Sequence, residues 1–174
     1  AGCEPIVCII QVPRWLSTNK FEKGNNANGL AFSTLAAPTD YEKWGKIIYN
    51  IVYHYNVSKK LNVKYFEIWN EPGREYRRSS AEELFKLYKV AAEAALRADP
   101  NVKVGGLAFY AWDSEIPERR AYQQTKDFTN SWIYQFIKYA SDNKLPLDFL
   151  SWHEYYSGPA LEDETAVAMI RSWL

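Results

Sequence analysis

Tyr65-Phe66-Glu67-Ile68-Trp69-Asn70-Glu71-Pro72 is an apolar run with two carboxylates set into it and a proline closing it. Rich in aromatic and β-branched residues, Val63 to Asn70 reads as a strand, and Pro72, which has no N–H to give a ladder, ends it. Side chains alternate across a strand, so Phe66 and Ile68 share one face while Tyr65, Glu67, Trp69 and, if the alternation persists, Glu71 share the other. The apolar face is expected to meet a layer of helices.

Working outward, Pro5 to Val12 is an Ile- and Val-rich run with the pattern of a strand covered on both faces. Gly24 to Gly29 reads as a loop. Thr39 with Glu42 forms a capping box, and Tyr41, Trp44, Ile48, Ile51 and Tyr55 follow it at helical spacing. Beyond the quoted strand, Ser80 with Glu83 is a second capping box, and its helix runs through Ala91 and Ala95 to Asp99-Pro100. Val102 to Tyr110 reads as a strand, Ser131 to Ser141 as a helix, Leu147 to His153 as a strand and Asp163 to Trp173 as a helix. Four strand and helix units in strict alternation predict a parallel α/β sheet, because parallel neighbours need a crossover and these crossovers are helical. A doubly wound nucleotide binder would carry a Gly-rich turn after its first strand, and Val12-Pro13-Arg14-Trp15 has no glycine. The expectation is therefore a (β/α)8 TIM-type barrel, of which four units are half.

Composition narrows the function. With 21 Lys and Arg against 21 Asp and Glu in 174 residues, the chain has no net field to attract phosphate backbones or anionic lipid. No nucleic-acid or membrane partner is expected. Cys3 and Cys8, five apart on a strand, would stand about 16 Å from each other, beyond disulfide reach, and are expected to be free, buried thiols. With two histidines, His54 and His153, and no ligand pair at metal spacing, no metal or other cofactor is implied. The N-terminus has no signal-peptide order, but a fragment can have lost its signal, so an extracellular and a cytoplasmic location both stay open. Aromatic residues make up 16%, including 7 Trp and 13 Tyr, and flat amphipathic rings suit sugar faces.

Glu71 falls at the C-terminal end of its strand, where this barrel class holds its active sites. A carboxyl there, walled by Trp69 and neighbouring aromatics, is expected to have its pKa raised by desolvation, as a general acid near neutrality requires. Glu67, deeper in the strand, reads more simply as an ion-paired barrel residue.

The quoted segment resembles the acid/base strand of clan A glycoside hydrolases, whose hallmark is Asn-Glu-Pro at the end of barrel strand four. Within the clan it is most similar to glycoside hydrolase family 39, which includes β-xylosidases, α-L-iduronidase and exopolysaccharide endoglycosidases. Gly2-Cys3-Glu4-Pro5 leading into Ile6 to Trp15 resembles that family's third strand, Val104-Gly105-Gly106 its fifth, and Asp148-Phe149-Leu150-Ser151-Trp152-His153-Glu154-Tyr155 its sixth. The pattern departs at Leu107, where the family often has proline, and at Trp152, where a smaller residue is usual. The resemblance implies a retaining hydrolase of plant or microbial polysaccharide or oligosaccharide, with residues 1–174 forming part of one catalytic barrel, strands three to six, and no second domain. It makes Glu71 the acid/base, Asn70 a partner of the sugar 2-hydroxyl, and His153 and Tyr155 the floor of the site; on its own residues, His153 reads equally as a hydrogen-bonded core histidine.

Trp15, Phe109, Tyr110, Trp112 and Tyr156 fall at or just beyond strand ends, where rings could stack on sugar or simply pack loops. Arg74, Arg77 and Arg78 suit an acidic sugar, though a solvated loop is the simpler reading. Retention needs a second carboxylate about 5 to 5.5 Å from the first. The resemblance puts that nucleophile, a glutamate, at the end of strand seven, beyond this chain; Glu4, Glu115 and Glu154 are poorly placed to replace it. The expected partners are a carbohydrate substrate and the remainder of the barrel or a complementary chain. The competing class is a non-catalytic half barrel that binds carbohydrate or serves as a scaffold.

Overall fold

Four short apolar segments pair in sequence order, and all of them run the same way. In a computed structural model that describes residues 2–25, 31–72, 79–110, 131–153, 167–168 and 170–172, the strands are β1 (Ile6–Ile9), β2 (Tyr65–Ile68), β3 (Lys103–Tyr110) and β4 (Phe149–His153). They form one parallel sheet in the order β1-β2-β3-β4. The connections carry helices α1 (Tyr41–Val52), α2 (Ala81–Ala98) and α3 (Trp132–Asp142), and the described residues between 167 and 172 are helical. The expected alternation of strand and helix is thus observed, and β1 is shorter than Pro5 to Val12: it ends at Ile9, and the Val12 N–H donates outside the sheet to the Thr34 carbonyl at 3.1 Å.

Helix α2 starts as expected, with Ser80 accepting from the Glu83 N–H and the Glu83 carboxylate accepting from the Ser80 N–H. Helix α1 does not. Its cap is Asp40, which accepts from the Lys43 N–H at 3.0 Å. Thr39, the expected cap, instead donates its hydroxyl to the Leu16 carbonyl at 3.0 Å, fastening the start of α1 to the 3-10 turn after β1. Beyond Val52 the helix continues as a π-helical segment, Tyr53–Ser58. There the Asn56 side chain accepts from the Val63 N–H at 2.8 Å and donates to the Val63 carbonyl at 2.9 Å, which sets the approach to β2.

The core lies between the sheet and these helices. Phe66, Ile68 and Val104 of the sheet pack with Trp44, Ile48, Leu84, Leu87, Tyr88 and Phe136 of the helices, all fully buried. Two polar tips in this layer are paired: Trp44 Nε1–H donates to the Leu87 carbonyl at 3.2 Å, and the Tyr88 hydroxyl donates to the Pro146 carbonyl at 2.8 Å. The opposite face of the sheet carries Ile6, Cys8, Tyr65, Glu67, Phe149, Ser151 and His153, none of them fully buried. Cys3 and Cys8 are both free, as expected, but both are exposed. An apolar strand looks the same from either side, and Cys8 falls on the face opposite the described helices.

Candidate active site

Regular alternation in β2 stops at Ile68, and how the chain leaves the strand decides where Glu71 goes. Trp69 (φ 76°) and Glu71 (φ 47°) both take left-handed backbone, uncommon for residues with a side chain. Two hydrogen bonds to the neighbouring strands hold this exit: the Trp69 N–H donates to the Ile9 carbonyl of β1 at 2.8 Å, and the Glu71 N–H to the Ala108 carbonyl of β3 at 2.9 Å. The Trp69 ring enters the hydrophobic core with no exposure. The simple alternation that set Trp69 beside Glu67 therefore fails at Trp69, where the backbone changes hand, while Glu71 still reaches the face that carries His153.

Glu71 is 5% exposed, the deepest acidic side chain among the described residues. Its Oε1 lies 2.7 Å from Nδ1 of His153, the last residue of β4. With the carboxylate ionised, Nδ1–H donates; with the carboxyl protonated, O–H donates to Nδ1. Two strands apart in the sheet and 82 residues apart in the sequence, the two groups are thus in direct contact at the C-terminal ends of their strands. Asn70 is half-buried beside Glu71.

Lower on the same face, the Cys8 thiol donates to Oε2 of Glu67 at 2.9 Å. Desolvation first, then this hydrogen bond and the carboxylate's charge, push the Cys8 thiol up to about 12. Glu67 is therefore occupied within the strand layer, in keeping with its reading as a barrel residue, although its partner is a thiol and not a cation. At the opposite end of the sheet, Lys64 pairs with Glu4 and Lys103 with Asp148, both at 2.8 Å.

The remaining expected site residues divide. Trp15 stands 64% exposed in the 3-10 turn after β1, its ring unenclosed by the described residues. Tyr110 is paired in register with His153 through the backbone, and its side chain lies outside the described set. Tyr155, Trp112, Tyr156, Arg74, Arg77, Arg78, Glu115 and Glu154 also fall outside the described residues. Phe109 is corrected: it is fully buried against Phe136, with ring centroids 5.8 Å apart, and belongs to the core.

The reason is an irregularity in β3 that periodicity did not reveal. Gly106 pairs with Leu150 and Phe109 with Trp152, so β3 advances three residues while β4 advances two. This is a β-bulge, and it turns Phe109 to the helix side. Gly105-Gly106 was the available signal, since glycines inside a strand mark bulges or close approaches. A Cβ on Gly105 would lie 2.2 Å from the Phe149 carbonyl oxygen; one on Gly106, whose φ is +136°, would lie 2.4 Å from that of Ile68. Among the described residues, no three His, Cys, Asp or Glu side chains gather as a metal-binding group.

Asn70-Glu71-Pro72 thus closes a strand of a parallel α/β sheet with the Glu71 carboxyl buried at the sheet's C-terminal edge. The model for Glycosyl hydrolases family 39 matches residues 19–171. A β-xylosidase of Geobacillus stearothermophilus is 32% identical over 126 residues, which is 69% of this chain and 22% of that protein. A β-xylosidase of Caldicellulosiruptor saccharolyticus is 36% identical over 127 residues, 70% of this chain and 22% of that one. Among solved structures, a family 39 β-xylosidase from Caulobacter crescentus superposes with a TM-score of 0.67 at 19% identity, over 94% of this chain and 32% of that chain. The chain belongs to glycosyl hydrolases family 39, and it spans about a fifth of the length of the curated relatives it matches. Its fold is four consecutive βα units of that family's barrel.

Proposed function

We propose that these residues supply the acid/base half of the catalytic centre of a retaining O-glycoside hydrolase acting on plant or microbial polysaccharide or oligosaccharide. β-Xylosides are the substrate class that the names of its relatives favour. The observation that carries the reading is the buried Glu71 carboxyl at the strand end, in contact with His153. A carboxyl held this way can give a proton and take one back without leaving its place.

In the first step the Glu71 carboxyl transfers its proton to the glycosidic oxygen as the bond from that oxygen to the anomeric carbon breaks. A second carboxylate, about 5 to 5.5 Å away and contributed from outside these 174 residues, forms the glycosyl ester. In the second step the Glu71 carboxylate takes a proton from water, the water oxygen bonds to the anomeric carbon, and the second carboxylate is released. Asn70 would hold the 2-hydroxyl of the sugar, His153 and Tyr155 would form the floor of the site, and Trp15, Tyr110 and Trp112 would offer rings to the sugar.

The intact protein containing these residues is expected to cleave aryl β-xylosides, and Glu71→Gln to lower turnover of a phenyl glycoside by about 100-fold or more. Equal turnover by both proteins would remove Glu71 from the mechanism. Sugar binding without turnover by either would instead favour a non-catalytic carbohydrate-binding barrel.

A further inference from the structure

Ala108 lies in the bulge of β3, fully buried and left-handed at φ 50°. An extra residue in a ladder leaves an amide without a strand partner, and a buried amide has no water to turn to instead. Here the amide is satisfied from β4, because the Ala108 N–H donates to Oγ of Ser151 at 3.0 Å. On the other side of the same residue, the Ala108 carbonyl accepts the Glu71 N–H at 2.9 Å. The two bonds pin the peptide units flanking a left-handed alanine. If the first is lost, Ala108 can relax toward the ordinary negative φ, which swings its carbonyl away from Glu71.

Ser151 stands two residues before His153, on the same face of β4. Strand β4 therefore reaches Glu71 twice, directly through the imidazole and indirectly through Ser151 and the bulge. Glu71, itself left-handed, has its amide fixed by one route and its carboxyl by the other.

We propose that Ser151 is a positioning residue for Glu71, acting through the backbone of Ala108 to hold the carboxyl on His153 and aimed at the leaving-group oxygen. The proposal rests on the acid/base reading of Glu71 for its consequence, while its geometry can be tested separately.

In the intact protein, Ser151→Ala, Ser151→Thr and Glu71→Gln are compared on a phenyl glycoside, which needs a proton on its leaving group, and a 2,4-dinitrophenyl glycoside, which does not. Ser151→Ala is expected to lose about tenfold in kcat/KM on the first and less than about twofold on the second, and Ser151→Thr, which keeps the hydroxyl, to recover most of the loss. Independently of turnover, the Glu71 carboxyl 13C and His153 ring resonances are expected to move in Ser151→Ala and return toward wild type in Ser151→Thr. Equal losses on both glycosides, or unmoved Glu71 and His153 resonances in a folded Ser151→Ala protein, would overturn the proposal. If Glu71→Gln is selective for the phenyl glycoside and Ser151→Ala is not, Ser151 alone is wrong. If Glu71→Gln shows no selectivity, the acid/base reading fails, and the resonances still decide whether Ser151 sets the carboxyl.

Discussion

Glu71 is held at two points, its carboxyl against His153 and its amide on the Ala108 carbonyl. A carboxylate between Asn and Pro at the end of an apolar strand announces itself by residue type and place, whereas its contact with His153 joins positions 82 residues apart. Ser151 and Ala108 were illegible for a plainer reason. Serine and alanine have no distinctive pattern in a strand, and their roles exist only because β3 carries one residue more than β4 across the bulge. Cys8 was half legible. Its free state followed from spacing, but its exposure did not, because the pattern Ile6-Val7-Cys8-Ile9 has apolar residues on both faces. A measurable consequence attaches to it. The thiolate is the reactive form, and a thiol pushed up to about 12 holds little of it at pH 8. Although both cysteines are exposed, Cys8 is expected to be alkylated by iodoacetamide at least about tenfold more slowly than Cys3. Glu67→Gln, which removes the carboxylate's charge, is expected to speed Cys8 selectively; peptide mass spectrometry over a time course reads both rates.

At the scale of elements, the order and type of the helices and strands were legible because burial writes its period into the sequence. Phe66 and Ile68 face the helices as alternation predicts, and Trp44 and Ile48 recur at helical spacing on the buried side of α1. The ends were harder. Thr39 and Asp40 are both competent caps, and the choice between them turns on the Leu16 carbonyl, a tertiary neighbour that claims the Thr39 hydroxyl. The exit from β2 and the bulge of β3 were harder still, since Trp69, Glu71 and Ala108 are left-handed without being glycine. Where a glycine does stand, it is required. Gly106→Ala would put a Cβ 2.4 Å from the Ile68 carbonyl oxygen on a backbone of positive φ. A loss of about 2–4 kcal/mol is expected from urea unfolding. Gly2→Ala, where a Cβ meets nothing within 4 Å, is expected to change stability by less than about 0.5 kcal/mol.

For the whole molecule, parallel order and helical crossovers fixed the class of fold, and the absence of a glycine-rich turn after β1 separated a barrel from a nucleotide-binding sheet. Among the described residues, helices pack on one face of the sheet, and Glu71 and His153 meet at the C-terminal ends of β2 and β4. That contact is the ground on which Glu71 is proposed as the acid/base.

Trapping with azide tests this most directly. The intact protein carrying Glu71→Gln is incubated with a 2,4-dinitrophenyl β-glycoside in the presence and absence of sodium azide. A glycosyl ester formed without need of an acid would wait for a base that is no longer there, and azide, which needs none, would attack the anomeric carbon in its place. The account predicts that turnover rises about tenfold or more with azide and yields a β-glycosyl azide, the configuration of the substrate. No acceleration by azide, or an α-glycosyl azide, would contradict it.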